Sequence, residues 1–258
     1  MIPKIIHYCW LSGDAYPPNI ARFLETWKEH LPDYEFVKWD KEKFDINNMM
    51  WVKEAYESKK YAFAADYIRF YALYHYGGIY LDSDVEVLKS FNSLLQHKSF
   101  CGHEAMGWLE PAVIGSEKGT VWLKDMMDYY ENRHFIKKDK LDDKVLPIVM
   151  HEVLNAKYNI NNKLTEAERD AAIGLTTYPY EYFSPKDHYT AEIHGTENTF
   201  AIHHFNNSWV KRTIRFRLSK FVHKYLKLIF GEKIHDNIVN FVSKFKKKSI
   251  STSHKLEF

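Results

Sequence analysis

The stretch from residue 61 to residue 88 limits the possible folds more than any other part of the chain. Its first part, YAFAADYIRFYALYHY (61–76), is apolar on nearly every side, which predicts a helix buried all round. Gly77 follows at the position where a glycine ends many helices. IYLDSDVEVL (79–88) then predicts a strand that carries two aspartates one residue apart.

The preceding residues continue the alternation of strand and helix. KIIHYCWL (4–11) predicts a buried strand, NIARFLETWKEHL (19–31) an amphipathic helix capped by Asn19, and YEFVKWD (34–40) a second strand. This order is typical of an α/β sheet with helices packed on it. The 258 residues, of which 45% are hydrophobic, suit one large domain or a domain with a small appendage.

The cysteines and the N-terminus bear on the compartment. Cys9 and Cys101 are far apart and lack the spacing of a metal site, which predicts a reducing compartment and no disulfide framework. The first residues do not have the pattern of a signal peptide, and no apolar run reaches the roughly 18 residues of a membrane span. We therefore expect a cytoplasmic protein.

The two aspartates at the end of the predicted strand, Asp82 and Asp84, predict a cation site. Neighbouring carboxylates repel each other unless a cation lies between them, and the carboxyl ends of strands are where α/β sheets bind ligands. Mg²⁺ and Mn²⁺ prefer oxygen ligands and commonly keep substrate phosphates in their coordination shell. The spacing therefore fits a metal–diphosphate clamp, with a solvated acidic turn as the alternative.

Three further residues support a binding site near this strand end. Asp66 and Arg69 lie three residues apart on the predicted apolar helix, hence on one face, where they either pair with each other or point into a cleft and bind sugar hydroxyls. Trp10 ends the first strand just before a loop. It either packs in the core or offers a stacking surface to a nucleobase.

Two segments resemble a known family. IPKIIHYCWLSG (2–13) and AADYIRFYALYHYGGIYLDSDVEVL (64–88) are similar to glycosyltransferase family 32, which includes capsular polysaccharide transferases and initiating mannosyltransferases, and AIHHFNNSW (201–209) extends the likeness. The resemblance implies a GT-A type fold, in which a Rossmann-like mixed sheet is flanked by helices. It also implies a divalent cation, Mn²⁺ or Mg²⁺, and transfer with retention of anomeric configuration.

The resemblance also implies roles for individual residues. It implies that Trp10 stacks on the base, that Asp66 and Arg69 hold the donor sugar, and that Tyr80 lines the donor site. It further implies that Asp82 lies near the ribose and the metal, that Asp84 binds the metal directly, and that the polar turn closes over the diphosphate, with His203, Asn206, Ser208 and Trp209 as candidates. Because imidazole is a good metal ligand and, when protonated, offsets phosphate charge, His203 or His204 is expected to contact metal or phosphate, and we take His203 as the third metal ligand.

Two positions depart from the pattern. Ala65 stands where the large clostridial toxins, which are more distant relatives, have a serine near the donor. Leu146 precedes Pro147 where family members often have Gly-Pro, a difference that concerns the acceptor side.

Charge is segregated along the chain. From Trp209 onward there are 13 Lys and Arg against 3 Asp and Glu, whereas the remainder has 23 against 31. We therefore expect a catalytic domain at 1–209 and a basic, amphipathic helical extension at 210–258. Apolar residues at helical spacing with basic residues between them predict peripheral binding to the inner face of an anionic membrane, with packing on the catalytic domain as the alternative. No recognised motif accompanies the charge, so nucleic acid is not an expected partner.

The resemblance to family 32, together with the residue patterns, implies a hexosyltransferase. It would move galactose or glucose, with mannose as the next choice, from a nucleotide diphosphate sugar to a growing polysaccharide or a lipid-linked oligosaccharide, as in capsular polysaccharide biosynthesis. A UDP-hexose is the favoured donor. Two alternatives remain: a nucleotide-sugar hydrolase that uses the same metal site, and a non-catalytic module that associates with membranes.

Overall fold

The computed structural model describes residues 1–105, 107–138, 140–158, 173–187 and 190–206, together with the backbone of 168–170. All helices and strands described below lie in the compact unit that Met1–Asp187 and Ile193–Trp209 form. The predicted extension at 210–258 lies outside the described residues, as do Ser208 and Trp209, so the domain boundary stays a prediction. Within the described part of the chain, no helix is long and apolar enough to cross a bilayer.

Strands and helices alternate through the first half of the chain, as the sequence predicts. In chain order the elements are β1 (Ile5–Cys9), α1 (Pro18–His30), β2 (Glu35–Trp39), α2 (Met50–Glu57), α3 (Tyr61–Tyr76), β3 (Gly78–Leu81), β4 (Val85–Val87), β5 (Ser99–His103), β6 (Leu109–Ser116), α4 (Val121–Tyr130), β7 (Ile136–Lys137), β8 (Lys140–Leu141), α5 (Leu146–Tyr158), β9 (Glu168–Asp170), β10 (Leu175–Tyr178) and β11 (Ala201–His203).

Seven of these strands form one mixed sheet in the order β2-β1-β3-β6-β5-β10-β9. β1 is parallel to both β2 and β3, and β10 is parallel to β5. β6 runs antiparallel to its neighbours β3 and β5, and β9 runs antiparallel to β10. The expected mixed sheet is therefore confirmed.

Helices cover the large sheet, and its two faces carry separate hydrophobic clusters. Alternation along β3 shows the division, because Tyr80 packs into the cluster that includes α3, α4 and α5, whereas Ile79 and Leu81 pack into the cluster that includes Trp27 of α1. A strand buried on both faces has no polar face. This explains why β3 is apolar along its whole length up to Asp82.

Two predicted elements differ in detail from those observed. The expected strand at 79–88 is two strands in different sheets: β3 ends at Leu81, a tight turn closed by Val85 N–H donating to the Asp82 carbonyl follows (3.0 Å), and β4 pairs with β11 in a two-stranded sheet. Asn19 does not cap α1, because the helix begins at Pro18, whose ring fits the first helical position without a donated hydrogen bond.

The helix α3 and the strand β3 are joined by two glycines. Gly77 and Gly78 have φ of 69° and 109°, values that glycine adopts without strain. A Cβ on Gly78 would also lie 2.6 Å from the carbonyl oxygen of Ile5 on the neighbouring strand. The close pairing of β1 with β3 therefore requires glycine at this position.

We predict that Gly78→Ala lowers the free energy of unfolding by at least about 2 kcal/mol, since strain and a backbone clash add together. Urea denaturation with an unchanged m value measures the loss. Gly13→Ala is the matched control, because Gly13 also has positive φ (74°) but a Cβ there would meet no atom within 4 Å. Equal losses in the two variants would show that the contact with Ile5 does not matter.

Candidate functional site

The parallel strands bring several sequence-predicted residues to one edge of the sheet. Trp10 follows β1, Asp82 follows β3 and Glu104 follows β5, while β6 begins at the same edge with Leu109 and Glu110. This is the edge at which α/β sheets bind ligands. The residues of the Asp-x-Asp turn thus lie beside chain segments that are distant in sequence.

The small sheet of β4 and β11 brings His203 to the same turn. His203 pairs with Val85 across the two strands, so its side chain lies next to Asp84. One ligand atom from each of Asp82, Asp84 and His203 can be chosen so that all three lie within 4.8 Å of one another. Two carboxylate oxygens and one imidazole nitrogen suit Mn²⁺ well and also accept Mg²⁺. The predicted ligand set therefore fits a divalent cation.

Asp84 is held by two contacts from the segment after β11. Its Oδ1 lies 3.4 Å from Nε2 of His203, and its Oδ2 accepts a 2.7 Å hydrogen bond from the backbone N–H of Asn206. Burial raises the pKa of Asp84, but His203 and the Asn206 N–H outweigh burial and lower the pKa to about 2. Asn206 thus reaches the predicted site through its backbone.

His203 lies between two carboxylates. Its Nδ1 is 3.4 Å from Oε1 of Glu110, on the side opposite Asp84. Burial lowers the pKa of His203, but Glu110 and Asp84 together raise it well above its usual value. Without a bound cation, an imidazolium at this position would balance part of the acidic charge of the site.

Arg69 links the helix α3 to the Asp-x-Asp turn. Its Nη2 lies 3.0 Å from Oδ1 of Asp66 and 3.4 Å from Oδ1 of Asp82. Its Nη1 donates a hydrogen bond to the carbonyl of Pro111 (2.8 Å), and the guanidinium carbon lies 4.7 Å from the centre of the Tyr80 ring. Arg69 therefore pairs with Asp66, as one interpretation of the sequence predicts, and it also contacts Asp82 of the candidate metal site.

Burial bears on the predicted donor contacts of these residues. Arg69 and Asp66 are only 4% and 7% exposed, and Tyr80 is 1% exposed beneath Arg69. These three side chains therefore lie beneath the surface of the candidate site. Direct contact between any of them and the donor sugar stays a prediction. The Nε of Arg69 is buried without a hydrogen-bond partner among the described residues.

This partly buried cluster has more acidic than basic side chains. Arg69 and His203 face the carboxylates of Asp66, Asp82, Asp84 and Glu110. Burial raises the pKa of Asp82, and burial together with the repulsion of Glu110 raises the pKa of the nearby Glu104 to about 8. An excess of acid that cannot reach water freely is the environment in which a divalent cation is bound.

Trp10 does not belong to the core. It is half-buried, its Nε1 donates to the carbonyl of Asp14 (2.7 Å), and its ring lies 4.8 Å from the ring of Tyr16. Neither hydrophobic cluster of the described residues includes Trp10. Its place at the carboxyl end of β1 agrees with the predicted stacking role, which stays a prediction.

The sequence did not predict the contact between Glu110 and His203. The structure places the Glu110 carboxylate 3.4 Å from Nδ1 of His203, and the same carboxylate accepts a hydrogen bond from the backbone N–H of Ala112 (3.1 Å). This position results from a register irregularity, in which Cys101 pairs with Ile114 but the next residue, Gly102, pairs with Glu110. The sequence signal for this irregularity is Pro111, because proline inside a strand often marks a bulge or another interruption of the pairing.

The electrostatics of Asp66 lead to a prediction of pH dependence. Burial raises its pKa from 3.8 to about 7, against the opposing effect of Arg69. Between these values the folded protein binds more protons than the unfolded chain, so the contribution of Asp66 to stability falls as pH rises. The free energy of unfolding of Asp66→Asn minus that of wild type should therefore become more positive as pH rises from about 5 to about 7. The change should be at most about 1.4 kcal/mol per pH unit.

Urea denaturation at several pH values measures this difference. Asp33→Asn is the control, because the bond from Lys4 lowers the pKa of exposed Asp33 and its titration ends below this range. A difference between Asp66→Asn and wild type that does not change with pH would mean that Asp66 is ionised throughout.

Comparison with known proteins agrees with this geometry. Residues 17–101 match the family described as the glycosyltransferase sugar-binding region containing the DXD motif. Inositol phosphoceramide mannosyltransferase 3 of Schizosaccharomyces pombe is 31% identical over 142 residues, which are 52% of this chain and 40% of that protein. Mannosyl phosphorylinositol ceramide synthase SUR1 of Saccharomyces cerevisiae is 32% identical over 143 residues, which are 53% and 37%.

The chain thus spans about two fifths of the length of these curated relatives. Among solved structures, the PaToxG glycosyltransferase aligns with a TM-score of 0.46 and 20% identity over 61% of this chain and 70% of that one. The fold assignment rests on the strand order given above. Residues 17–101 are therefore similar in sequence to the DXD-containing sugar-binding region of glycosyltransferases.

Proposed function

We propose that this protein is a metal-dependent glycosyltransferase that moves a hexose from a nucleotide diphosphate sugar to a glycan or lipid-linked acceptor. One observation carries the proposal: Asp82, Asp84 and His203 converge at the carboxyl edge of the sheet, and the two aspartates belong to a segment that matches the DXD family. The retaining course of the reaction is part of the proposal and rests on the resemblance to family 32.

The side chains present support the required chemistry. Asp82, Asp84 and His203 would hold Mn²⁺ or Mg²⁺, which supplies positive charge for the diphosphate that leaves the sugar. Asp84 is fixed for this role by the Asn206 N–H, and Asp82 is oriented by Arg69. Trp10 would stack on the nucleobase at the neighbouring strand end.

The donor and acceptor are proposed from two sources that differ. The resemblance to family 32 favours UDP-galactose or UDP-glucose, whereas the names of the curated relatives specify mannose and a phosphorylated inositol ceramide. A comparison of GDP-mannose with UDP-hexoses, each with and without Mn²⁺ and a glycolipid acceptor, tests the proposal. Formation of a lengthened glycolipid supports it, and release of free hexose alone would instead indicate a nucleotide-sugar hydrolase.

Membrane association of the basic stretch at 210–258 is part of the same proposal. A lipid-linked acceptor lies at a bilayer surface, where Lys and Arg meet acidic headgroups and apolar side chains enter the interface. The segregation of basic residues after Trp209 supports this role. The inner face of the cell membrane is the corresponding location.

We expect Asp84→Asn to reduce transfer on the order of 10²-fold or more, because it removes a charged metal ligand while keeping the volume of the side chain. The rate of transfer at saturating Mn²⁺ measures the loss, and the thermal unfolding midpoint checks the fold. Asp33→Asn, the same change at the exposed partner of Lys4, should retain the native rate. A folded Asp84→Asn variant with the native rate and metal dependence would contradict the proposed clamp.

Trp10→Ala should weaken nucleotide binding by about 1–3 kcal/mol, the range found for stacking of a base on an aromatic side chain. Calorimetric titration with the nucleoside diphosphate, in the presence of Mn²⁺, measures the affinity. Trp10→Phe keeps an aromatic face and should retain most of the affinity. If Trp10→Ala binds as tightly as wild type, Trp10 serves only to hold the loop through its bond to Asp14.

A further inference from the structure

We infer that Glu110 is a positioning residue for the metal site: its carboxylate holds Nδ1–H of His203, so that Nε2 of the same ring is turned, as a lone pair, toward the site formed with Asp82 and Asp84. This inference rests on the cation of the proposed function. It assigns to Glu110 a role in metal binding through His203, without contact between Glu110 and the metal.

The two ring nitrogens of His203 face two different carboxylates. Nε2 lies 3.4 Å from Oδ1 of Asp84, and Nδ1 lies 3.4 Å from Oε1 of Glu110. Nδ1 is buried and has no hydrogen-bond partner among the described residues, so the carboxylate of Glu110 is the acceptor that lies near it. A carboxylate is therefore available to accept the Nδ1 proton while Nε2 binds a cation, which is the arrangement that orients many metal-binding histidines.

Glu110 is itself held in place. It is 4% exposed, and the Oε1 that faces His203 also accepts the backbone N–H of Ala112, at 3.1 Å. The irregular pairing of β5 with β6 brings Glu110 level with Gly102, at the edge of the sheet beside His203. A buried carboxylate anchored to its own strand can fix a ring, because it has little freedom to follow that ring if the ring turns.

The adjacent histidine offers an internal comparison. His204 also has a carboxylate partner, since its Nε2 lies 2.7 Å from Oε2 of Glu86, but its ring stacks on Phe23 of α1 and its Nδ1 contacts Lys186. His204 is not one of the three candidate metal ligands. Both pairs thus consist of a glutamate and a histidine, but only the histidine of the Glu110–His203 pair is a candidate metal ligand.

The test measures Mn²⁺ binding to the full-length protein without donor, by the electron paramagnetic resonance signal of free Mn²⁺. Glu110→Met keeps the approximate volume and removes the acceptor, and we expect Mn²⁺ affinity to fall about 10- to 100-fold. Glu110→Gln removes the charge but keeps an acceptor oxygen, so it should lose much less. Glu86→Met, the same change beside His204, should keep the wild-type affinity.

A second comparison separates positioning from a general structural effect. In a His203→Ala background, Glu110→Met should cause no further loss of Mn²⁺ affinity, because the residue through which Glu110 acts is already absent. Equal losses in Glu110→Met and Glu110→Gln would mean that charge alone matters and would overturn the inference. A Glu110→Met loss that persists without His203 would also overturn it.

The same titrations distinguish failure of the inference from failure of the proposed function. If Asp84→Asn and His203→Ala weaken Mn²⁺ binding but Glu110→Met does not, the metal site stands and Glu110 is not its positioning residue. If none of these variants changes Mn²⁺ binding, the cation site is absent and both proposals fail. Thermal unfolding of each variant shows that the measured species is folded.

Discussion

The structure depends on one buried cation, the guanidinium of Arg69. It joins three elements at once, through Asp66 on its own helix, Asp82 at the end of β3 and the carbonyl of Pro111 on β6. Removing one partner from a buried ion pair typically costs about 3–5 kcal/mol, because the remaining charge is left without compensation. The same side chain therefore supports the central helix and sets the position of an aspartate in the candidate site.

This arrangement explains why polar residues occur in the most apolar helix of the chain. Helix α3 is buried over most of its length, and Asp66 and Arg69 are buried with it. A pair of opposite charges three residues apart satisfies both groups within the helix, and Asp82 then adds a second acid to the same base. The surplus of acid near Arg69 is thus a consequence of the fold, and it provides the environment in which a divalent cation would be bound.

The part of the site that lies within residues 61–84 could be predicted from sequence, because each step depends on local spacing. The apolar period identified α3, the glycine pair marked its end, and the aspartates followed a buried strand. The contacts made by Glu110 could not be predicted, since they depend on an irregular register between β5 and β6. β5 and β10 are short and buried, so their residues lack the alternation by which a half-exposed strand is recognised.

The pairing of β4 with β11 closes a very long loop, since the bond between Asn206 and Asp84 joins residues 122 positions apart. The entropy of closing a flexible loop grows only with the logarithm of its length, so doubling the length costs about 0.6 kcal/mol. Segments inserted between the two strands would therefore change the stability of the closed loop very little. The interval between the two strands can therefore be lengthened while the contact between Asp84 and Asn206 is kept.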